Sequence, residues 1–355
     1  MELVDKSMSN ATQRLMDNAT QRGMDNATER TQSVLQDGYD LPVYGLDTGW
    51  FLYIHVPALC CIFVSLFCAS AVIIASFRSQ TRPFFSWMRS ERFVVYLSMC
   101  DALFNLTHSM DHLQMVITKD HVYPVELCEF YSYFLALFSS AQFLVTNVAA
   151  FKAFGLIYLQ KEFGLGKYDW KLLLYTFGIP FMLSACAALL GYYGPTGSYC
   201  HFDAVKGAVA NIFFTTVPMT AVLVANIVLY VLTWWKIHTE SKRIKTMLGN
   251  EAQTVRASHR AAKLMSLFVT AFFVQWWALG IAIVWYKFAV IPKEYLTITV
   301  IITNLGGVVN GFVYIIIKRR RDRHGNKSFK SPRHSLKDFG NNHRKVDVSV
   351  IDTKM

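Results

Sequence analysis

The sequence predicts an all-α fold, a bundle of seven helices that each cross a lipid bilayer. Hydrophobic residues make up 53% of the 355 and charged residues only 17%, whereas a soluble domain has about 25% charged residues. Apolar runs recur from residue 51 to residue 317 with short gaps between them. Seven of these runs reach roughly the 20 residues that a helix needs to span a hydrocarbon core about 30 Å thick.

Each of the seven runs is predicted to be a helix, because an unsatisfied backbone amide costs several kcal/mol in hydrocarbon and a helix satisfies its own amides. The second and third runs contain ionisable residues. A polar segment, 1–50, precedes the runs and a basic tail, 318–355, follows them. The predicted spans are 51–77, 93–117, 128–159, 172–192, 205–235, 262–288 and 296–317.

Lysine and arginine are concentrated in alternate connections, after the first, third and fifth spans and in the tail. Cytoplasmic loops carry such an excess, so we expect the N-terminus outside and the C-terminus in the cytoplasm. The net charge of +11 therefore follows from membrane orientation and does not indicate nucleic-acid binding. The cations that we expect to face a cytoplasmic partner are Lys152, Lys161, Lys242, Arg243, Lys245 and Arg260.

The N-terminal segment contains a near-repeat of eight residues with the sequences NATQRLMD, NATQRGMD and NATERTQS. Asn10, Asn18 and Asn26 each begin an Asn-Ala-Thr acceptor for N-glycosylation. We predict an extracellular, disordered and glycosylated segment over 1–50, because the composition of the repeats is polar.

The basic segments at the other end are also polar. Residues 236–260 are predicted to extend the fifth and sixth helices beyond the bilayer, and the tail after Lys318 is predicted to be mostly disordered. Ser328, Ser331 and Ser335 lie among Lys and Arg. A phosphate on any of them would place negative charge in a basic strip, so they are phosphorylation candidates.

Seven cysteines form no CxxC pair and no zinc-ligand spacing. Cys128 begins the third run, and Cys200 lies in the connection before the fifth. Both belong to the end that we expect to fold in an oxidising compartment, where a disulfide is permitted. The sequence predicts that they are bonded; the alternative is two free thiols.

Asp101 lies in the middle of the second run, where a carboxylate costs about 2.5 kcal/mol or more unless it faces protein or water. Asn147, Asn304 and Asn310 are its predicted partners, and a sodium ion is a further way to neutralise it. We predict that Asp101 helps to switch the bundle between two states. The alternative is a protonated or hydrogen-bonded residue with a structural role.

His108, Asp111 and His112 share one helix face in the second run, because their spacing is i, i+3, i+4. They are candidates for ligand contact, and we considered pH sensing and metal binding as well. A polar, water-exposed rim at the mouth of a pocket is the alternative.

Several positions together resemble the G-protein-coupled receptor superfamily. The frame is seven spans, an outside N-terminus, and Cys128 at the start of the third span with a partner in the second outer loop. Asp101 is similar to the acidic residue that these receptors keep in the second helix. Asn310 to Tyr314 resembles the NPxxY signature with Gly in place of Pro, and Trp276 lies where the toggle tryptophan is expected, facing inward while Trp277 faces lipid.

Other positions depart from the rhodopsin-like pattern. Phe151-Lys152-Ala153-Phe154 stands where Asp-Arg-Tyr is expected, so Lys152 either extends to the headgroups or takes over part of the missing arginine's role. Phe177-Gly178-Ile179-Pro180 and Gly191 to Pro195 are similar to the secretin-like and slime-mould cyclic-AMP-receptor-like groups. The N-terminal segment contains no cysteine, so it is not the hormone-binding domain of true secretin-like receptors.

The resemblance implies a plasma-membrane receptor that is not an enzyme. An extracellular ligand would bind in the outer half of the bundle and shift the inactive and active populations. A heterotrimeric G protein would engage the basic end, with arrestin and receptor kinases as further partners. An opsin would need a lysine midway along the seventh span, where Asn304 stands. A seven-span transporter or channel remains the alternative.

Overall fold

A computed structural model describes residues 36–161, 163–246, 250–285, 289 and 291–329. Most of this part of the chain is helical, and its one sheet has two antiparallel strands. The first three helices are α1 (Phe51–Arg78), α2 (Arg89–Thr118) and α3 (Val125–Phe154, continued by a π-helical turn at Gly155–Leu159). The next is α4, in the consecutive segments Trp170–Leu173, Leu174–Gly178 and Ile179–Leu189. The strands β1 (Tyr193–Pro195) and β2 (Cys200–Phe202) follow.

The last three helices complete the bundle. They are α5 (Ala208–Asn211, Ile212–Thr216 and Val217–Thr246), α6 (Asn250–Trp285) and α7 (Lys293–Thr303 and Gly306–Phe329). Each of the seven helices overlaps one predicted span, so the all-α seven-helix class predicted from the sequence is confirmed.

Two of the helix ends that differ from the sequence prediction have a local physical explanation. α4 ends at Leu189 rather than Tyr192, because Gly191 adopts a φ of +68° and turns the chain into β1. α7 continues to Phe329, although the composition predicts disorder after Lys318. Lys and Arg are good helix formers, so a helix that packing has already started can continue through them.

The helices have the length and composition of membrane spans. In the described part of the chain, five are long and apolar enough individually, and the two segments of α7 qualify together across a bend of 42°. α2 is more polar, but it buries its polar side chains against its neighbours. The outward faces carry exposed apolar side chains such as Phe67 and Leu174, as a lipid-facing surface requires. The chain is therefore a multi-pass membrane protein.

α3 lies at the centre of the bundle and packs against α2, α4, α5 and α6. Small buried residues, including Ala141, Ala149 and Ala153, let these helices approach it closely. The largest apolar core surrounds its second half, where Phe93 of α2, Phe268 of α6 and Ile317 of α7 meet.

The bend in α7 brings that helix against α1. After the break at residues 304–305, the Gly307 amide donates to Ser65 Oγ at 2.8 Å. A Cβ at Gly307 would overlap the Ser65 carbonyl, and one at Gly306 would overlap the side chains of Asp101 and Gln275. Only glycine therefore permits the observed approach of α7 to its neighbours.

The two ends of the bundle differ in structure. The β1–β2 hairpin marks one of them, which we call the hairpin end. The opposite end carries the exposed cations Lys161 and Arg260, and we call it the basic end.

Residues 36–50 fold against the hairpin end, contrary to the disorder predicted for the whole of 1–50. The Gly38 amide donates to both carboxylate oxygens of Asp203, at 3.0 and 2.9 Å. The Tyr44 amide donates to the Gly197 carbonyl at 2.8 Å, inside the hairpin turn. Sequence alone missed this because the anchor, Asp203, lies 165 residues away.

Candidate functional site

A cavity of about 350 Å³ lies in the half of the bundle next to the hairpin. All seven helices and the hairpin contribute to its wall. Its lining includes Ile54, Phe104, His108, His112, Leu135, Phe143, Ile179, Leu183, Tyr199, His201, Phe214, Pro218, Met219, Trp276, Leu279, Val300, Thr303 and Asn304. This volume falls within the range of small-molecule sites.

The cavity wall is apolar with a few neutral polar groups. Among the described residues that line it, none is Asp, Glu, Lys or Arg. The polar members are serines, threonines, asparagines, Tyr199, Trp276 and three histidines. Burial lowers the pKa of His201, in β2, to about 4, so this imidazole is neutral at physiological pH.

The structure places two of the three predicted pocket residues in the cavity wall. His108 and His112 line the cavity and are 7% and 2% exposed, so they do not form the water-exposed rim that we considered. Asp111 is not in the wall; its Oδ2 accepts a hydrogen bond from the Cys200 amide at 3.0 Å. It therefore holds the hairpin in position. Cys200 is also bonded to Cys128, as the sequence predicts.

His108 and His112 belong to a chain of three imidazoles. His55 Nδ1 lies 2.7 Å from His112 Nδ1, and His112 Nε2 lies 2.7 Å from His108 Nε2. Three neutral imidazoles carry three ring protons in total. Each of the two N···N contacts needs one proton, so the third proton lies on a nitrogen at one end of the chain. The two end nitrogens, His55 Nε2 and His108 Nδ1, have no partner among the described residues. The chain links α1 to the cavity wall, and sequence missed it because His55 lies on another helix.

Further buried polar atoms of the cavity wall have no partner among the described residues. They are Trp276 Nε1, Thr303 Oγ1 and Asn304 Oδ1. Trp276 is 3% exposed and Trp277 is 44% exposed, so Trp276 is the residue that faces inward. Buried polar groups almost always have a hydrogen-bond partner, so these atoms mark where a ligand or ordered water would bond.

Asp101 lies at the centre of a buried amide network that reaches the cavity wall at Thr303. Gln142 Nε2 donates to its Oδ1 at 2.6 Å, and Asn310 Nδ2 donates to its Oδ2 at 2.6 Å. Gln142 also contacts Gln275 Oε1 at 3.2 Å, and Gln275 Nε2 donates to the Thr303 carbonyl at 3.0 Å. Hydrogen bonds therefore connect a cavity residue to Asp101 through α6, α3 and α2.

Only Asn310 of the three predicted partners contacts the Asp101 carboxylate. Asn147 donates to Asn226 Oδ1 at 2.9 Å and accepts from Tyr175, because its helix face is turned towards α5 and α4. Asn304 Nδ2 donates to the Val300 carbonyl. One amide N–H contacts each oxygen of the Asp101 carboxylate, and a sodium ion beside it remains a prediction.

The basic end contains a second polar network. The Arg92 Nε of α2 lies 2.8 Å from Asp169 Oδ2 at the start of α4, and Tyr96 Oη donates to the same oxygen at 3.1 Å. Arg321 of α7 contacts Glu91 of α2 at 2.9 Å. The sequence did not single out these residues, because they form pairs only when α2, α4 and α7 come together.

Lys152 is buried at the basic end and does not extend to the headgroups. It is 4% exposed, and its Nζ donates to the Phe163 carbonyl in the connection after α3 at 2.7 Å. It therefore holds this connection against the bundle. Tyr314 of α7 has Lys318 Nζ 5.9 Å from its ring centroid, and its buried hydroxyl has no partner among the described residues.

The remaining predicted residues are placed only in part. Lys161 and Arg260 are exposed at the basic end. Lys242, Arg243 and Lys245 lie in α5 and Ser328 lies in α7, but their side chains are outside the described part of the chain. The acceptors Asn10, Asn18 and Asn26 and the serines Ser331 and Ser335 are also outside it, so their modification remains a prediction.

Comparisons with known proteins give a fold match but no sequence match. No protein-family profile and no curated protein match the sequence. The solved structure of squid rhodopsin matches with a TM-score of 0.59 and 11% identity, over 79% of this chain and 85% of that chain. The comparison establishes the fold: this chain has the seven-helix arrangement of squid rhodopsin.

Proposed function

We propose that the protein is a plasma-membrane receptor that binds an extracellular ligand in the cavity and activates a heterotrimeric G protein. The observation that carries this proposal is the position of the cavity beside the Asp101 network. Gln275 is a member of the network; Trp276 follows it in α6, and the Thr303 carbonyl accepts a hydrogen bond from it. A ligand that contacts Trp276 and Thr303 would therefore touch the two neighbours of Gln275. A change at the cavity can therefore reach α7 and α2 by direct hydrogen bonds.

The orientation is part of the proposal. The hairpin end is extracellular and the basic end cytoplasmic, since Lys and Arg are enriched in cytoplasmic loops. The disulfide supports this assignment, because disulfides form in the oxidising compartment that becomes the outside. The basic end then offers Lys161, Arg260 and the extensions of α5 and α6 to the G protein.

The mechanism is a population shift and involves no covalent chemistry. A ligand that bonds the unpartnered polar atoms better in one bundle arrangement stabilises that arrangement by the difference in its affinities. Asn310 of α7 donates to Asp101, and the bend in α7 lies beside it, so movement of α7 changes this contact. The ion pairs Arg92–Asp169 and Glu91–Arg321 at the basic end hold the observed arrangement together.

The proposal does not extend to light detection. A retinal Schiff base needs a lysine midway along the seventh helix, and no lysine occurs between Leu296 and Ile317. Nor does the fold match establish a branch of the superfamily. The likeness of the α4 and hairpin sequences to the cyclic-AMP-receptor-like group remains a prediction.

Coupling is tested by expressing the protein with a reporter for each G-protein class and comparing it with Asp101→Asn. The variant replaces an acceptor of two amide hydrogen bonds by an amide that cannot accept both. A change of about 1.4 kcal/mol between two states alters their ratio tenfold, so we expect basal output in one class to change several-fold. The matched control is Asp47→Asn, at an exposed position.

Two outcomes contradict the proposal. One is no coupling to any class when the protein is at the cell surface. The other is an orientation result, in which an epitope fused after Met355 is detected on unpermeabilised cells. Unchanged output of Asp101→Asn at equal surface level would remove the switching role of Asp101 alone. Glycosidase treatment of surface protein should lower its mass if Asn10, Asn18 or Asn26 is modified.

A further inference from the structure

We propose that the cavity takes an uncharged amphiphile that is dissolved in the bilayer, and that this molecule reaches the cavity sideways between α4 and α5. The inference deepens the proposed function, since it names the chemical class of the ligand and its route. It rests on four features of the described residues: the chemistry of the wall, the cover at the hairpin end, the side wall and the positions of the unpartnered polar atoms.

The wall of the cavity disfavours a charged ligand. A cationic amine needs a carboxylate, and neither Asp101 nor Asp111 lines the cavity. An anion such as a cyclic nucleotide needs Lys or Arg, and the described lining contains neither. Because an unpaired charge in an apolar site costs several kcal/mol, a neutral ligand fits best.

Ordered chain covers much of the hairpin end of the cavity. Ser198, Tyr199 and His201 of the hairpin form part of its wall. The hairpin is fixed to α3 by the disulfide and to α2 by Asp111. Residues 36–50 lie against the hairpin in turn, bonded through Asp203. A ligand that arrives from water on this side would meet the hairpin, which these contacts hold in place.

The side wall between α4 and α5 faces the lipid. Ile179 and Leu183 of α4 line the cavity and are 44% and 41% exposed. Phe214 and Pro218 of α5 line it from the other side. Both helices pack mainly against α3, so the seam between them is held by few contacts of their own.

Both helices are irregular at the level of this seam. α4 has a π-helical turn at Leu174–Gly178 followed by Pro180, and α5 has one at Ile212–Thr216 followed by Pro218. A π-bulge and a proline each interrupt the regular ladder of helix hydrogen bonds and bend the helix. We therefore expect α4 and α5 to separate at this seam and admit a ligand more easily than the rest of the wall does.

The polar atoms of the wall define how an amphiphile would lie. Trp276 Nε1, Thr303 Oγ1 and Asn304 Oδ1 belong to α6 and α7, whereas the α4–α5 seam supplies Ile179, Leu183 and Pro218. A hydroxyl, ester or amide group would bond at the α6–α7 side. An apolar tail would extend past Phe143 and Met219 towards the seam.

Cysteine accessibility tests the proposal without knowledge of the ligand. The starting variant replaces Cys60, Cys61, Cys68, Cys100 and Cys186 by Ala, retains the disulfide, and is reconstituted in lipid nanodiscs. Thr303→Cys places one thiol in the cavity, with Val300→Cys as a second position. The probes are methyl methanethiosulfonate, which is neutral, and its trimethylammonioethyl and sulfonatoethyl analogues, which are charged.

We expect the neutral probe to modify the thiol introduced by Thr303→Cys or Val300→Cys at least tenfold faster than either charged probe does. Each rate is first divided by the rate of the same probe at Thr48→Cys, an exposed position. Adding Leu183→Trp fills the seam and should slow the neutral probe several-fold. The matched control, Leu189→Trp, changes a leucine of the same helix that is 89% exposed and does not line the cavity.

Comparable rates for the charged and neutral probes would overturn the proposal, because the cavity would then open to water. The α4–α5 route would be overturned if the neutral probe still reacts faster than the charged probes, but the cavity thiol reacts equally fast in the Leu183→Trp and Leu189→Trp variants. These rates do not depend on G-protein coupling. A failure here therefore leaves the receptor proposal standing, and a failure of the coupling reporters leaves this one standing.

Discussion

Gly306 lies where α7 comes closest to α2 and α6, and its missing side chain is what allows the Asp101 network to close. A Cβ at this position would meet Asp101 Oδ1 and Gln275 Nε2, both of which belong to that network. Gly311, one turn further along the same helix, has its nearest non-local atom, Val72 Cγ2, at 3.9 Å. Close packing therefore excludes a side chain at Gly306 but not at Gly311, so comparing the two positions isolates the effect of packing.

We predict that Gly306→Ala destabilises the protein by about 1–3 kcal/mol, the usual cost of overpacking a well-packed interior. Gly311→Ala should be neutral or slightly stabilising, since alanine is favoured over glycine inside a helix by about 0.5–1 kcal/mol. Thermal unfolding of the purified variants measures both changes. Equal unfolding temperatures for the two variants would contradict the packing argument.

His201 gives the hairpin end a dependence on pH. Its folded pKa of about 4 lies below its ordinary value of 6.5. The unfolded chain therefore binds a proton as the pH falls below 6.5 while the folded chain does not. Stability contributed by the neutral ring is complete above about pH 6.5 and is lost as the pH falls towards 4.

We predict that the unfolding temperature falls between pH 7 and pH 5, and that His201→Gln reduces this fall. Glutamine keeps a polar side chain at the position but does not titrate. The measurement is thermal unfolding of both proteins across this pH range. An identical pH slope in the two proteins would show that His201 contributes nothing to it.

At the scale of elements, α2 joins the two halves of the bundle through polar groups. Its basic end is bonded to α4 through Arg92 and Asp169 and to α7 through Glu91 and Arg321. Its middle carries Asp101, and its other end carries His112 and Asp111. The predicted second span contains ionisable residues, and their contacts with neighbouring helices explain why they are tolerated.

We predict that Arg92→Gln destabilises the protein by about 3–5 kcal/mol, because it leaves the buried Asp169 carboxylate without its ionic partner. The side chains of this pair are 9% and 4% exposed. The matched control is Lys236→Gln, which breaks the Lys236–Glu240 pair within α5, where Lys236 is 38% exposed. An exposed pair contributes about 1 kcal/mol or less, and similar losses for the two variants would contradict the prediction.

At the scale of the whole molecule, the hairpin end is built from segments that are far apart in the sequence. Asp203 accepts hydrogen bonds from Gly38 and from the amides of Val205 and Lys206. It therefore connects residues 36–50 to the start of α5. The hairpin that lines this end of the cavity is therefore held by several segments together.

We predict that Asp203→Asn speeds amide hydrogen exchange of Gly38 and Tyr44 at least tenfold, because an amide side chain accepts less strongly than a carboxylate. Exchange in the cores of α3 and α6 should change little, since local opening does not unfold the bundle. Asp47→Asn is the exposed control. Unchanged exchange at Gly38 would mean that Asp203 does not anchor the segment.

The sequence by itself determined the class of fold, the seven helices and the partner of Cys128. These follow from local properties: the length of an apolar run, and a cysteine at each of two run edges. It also indicated Asp101, His108 and His112 as candidates for a functional role, because ionisable residues within a membrane span are costly; their burial is known only from the structure.

Only the tertiary structure decided which groups meet. Gln142 reaches Asp101 where Asn147 and Asn304 do not, and Gln275 joins the network through Gln142. His55 joins His112 across two helices. Asp203 holds a segment that composition alone predicts to be disordered. The rotation of each helix about its axis, and the bend in α7, are set by packing among all seven helices, so no single apolar run contains this information.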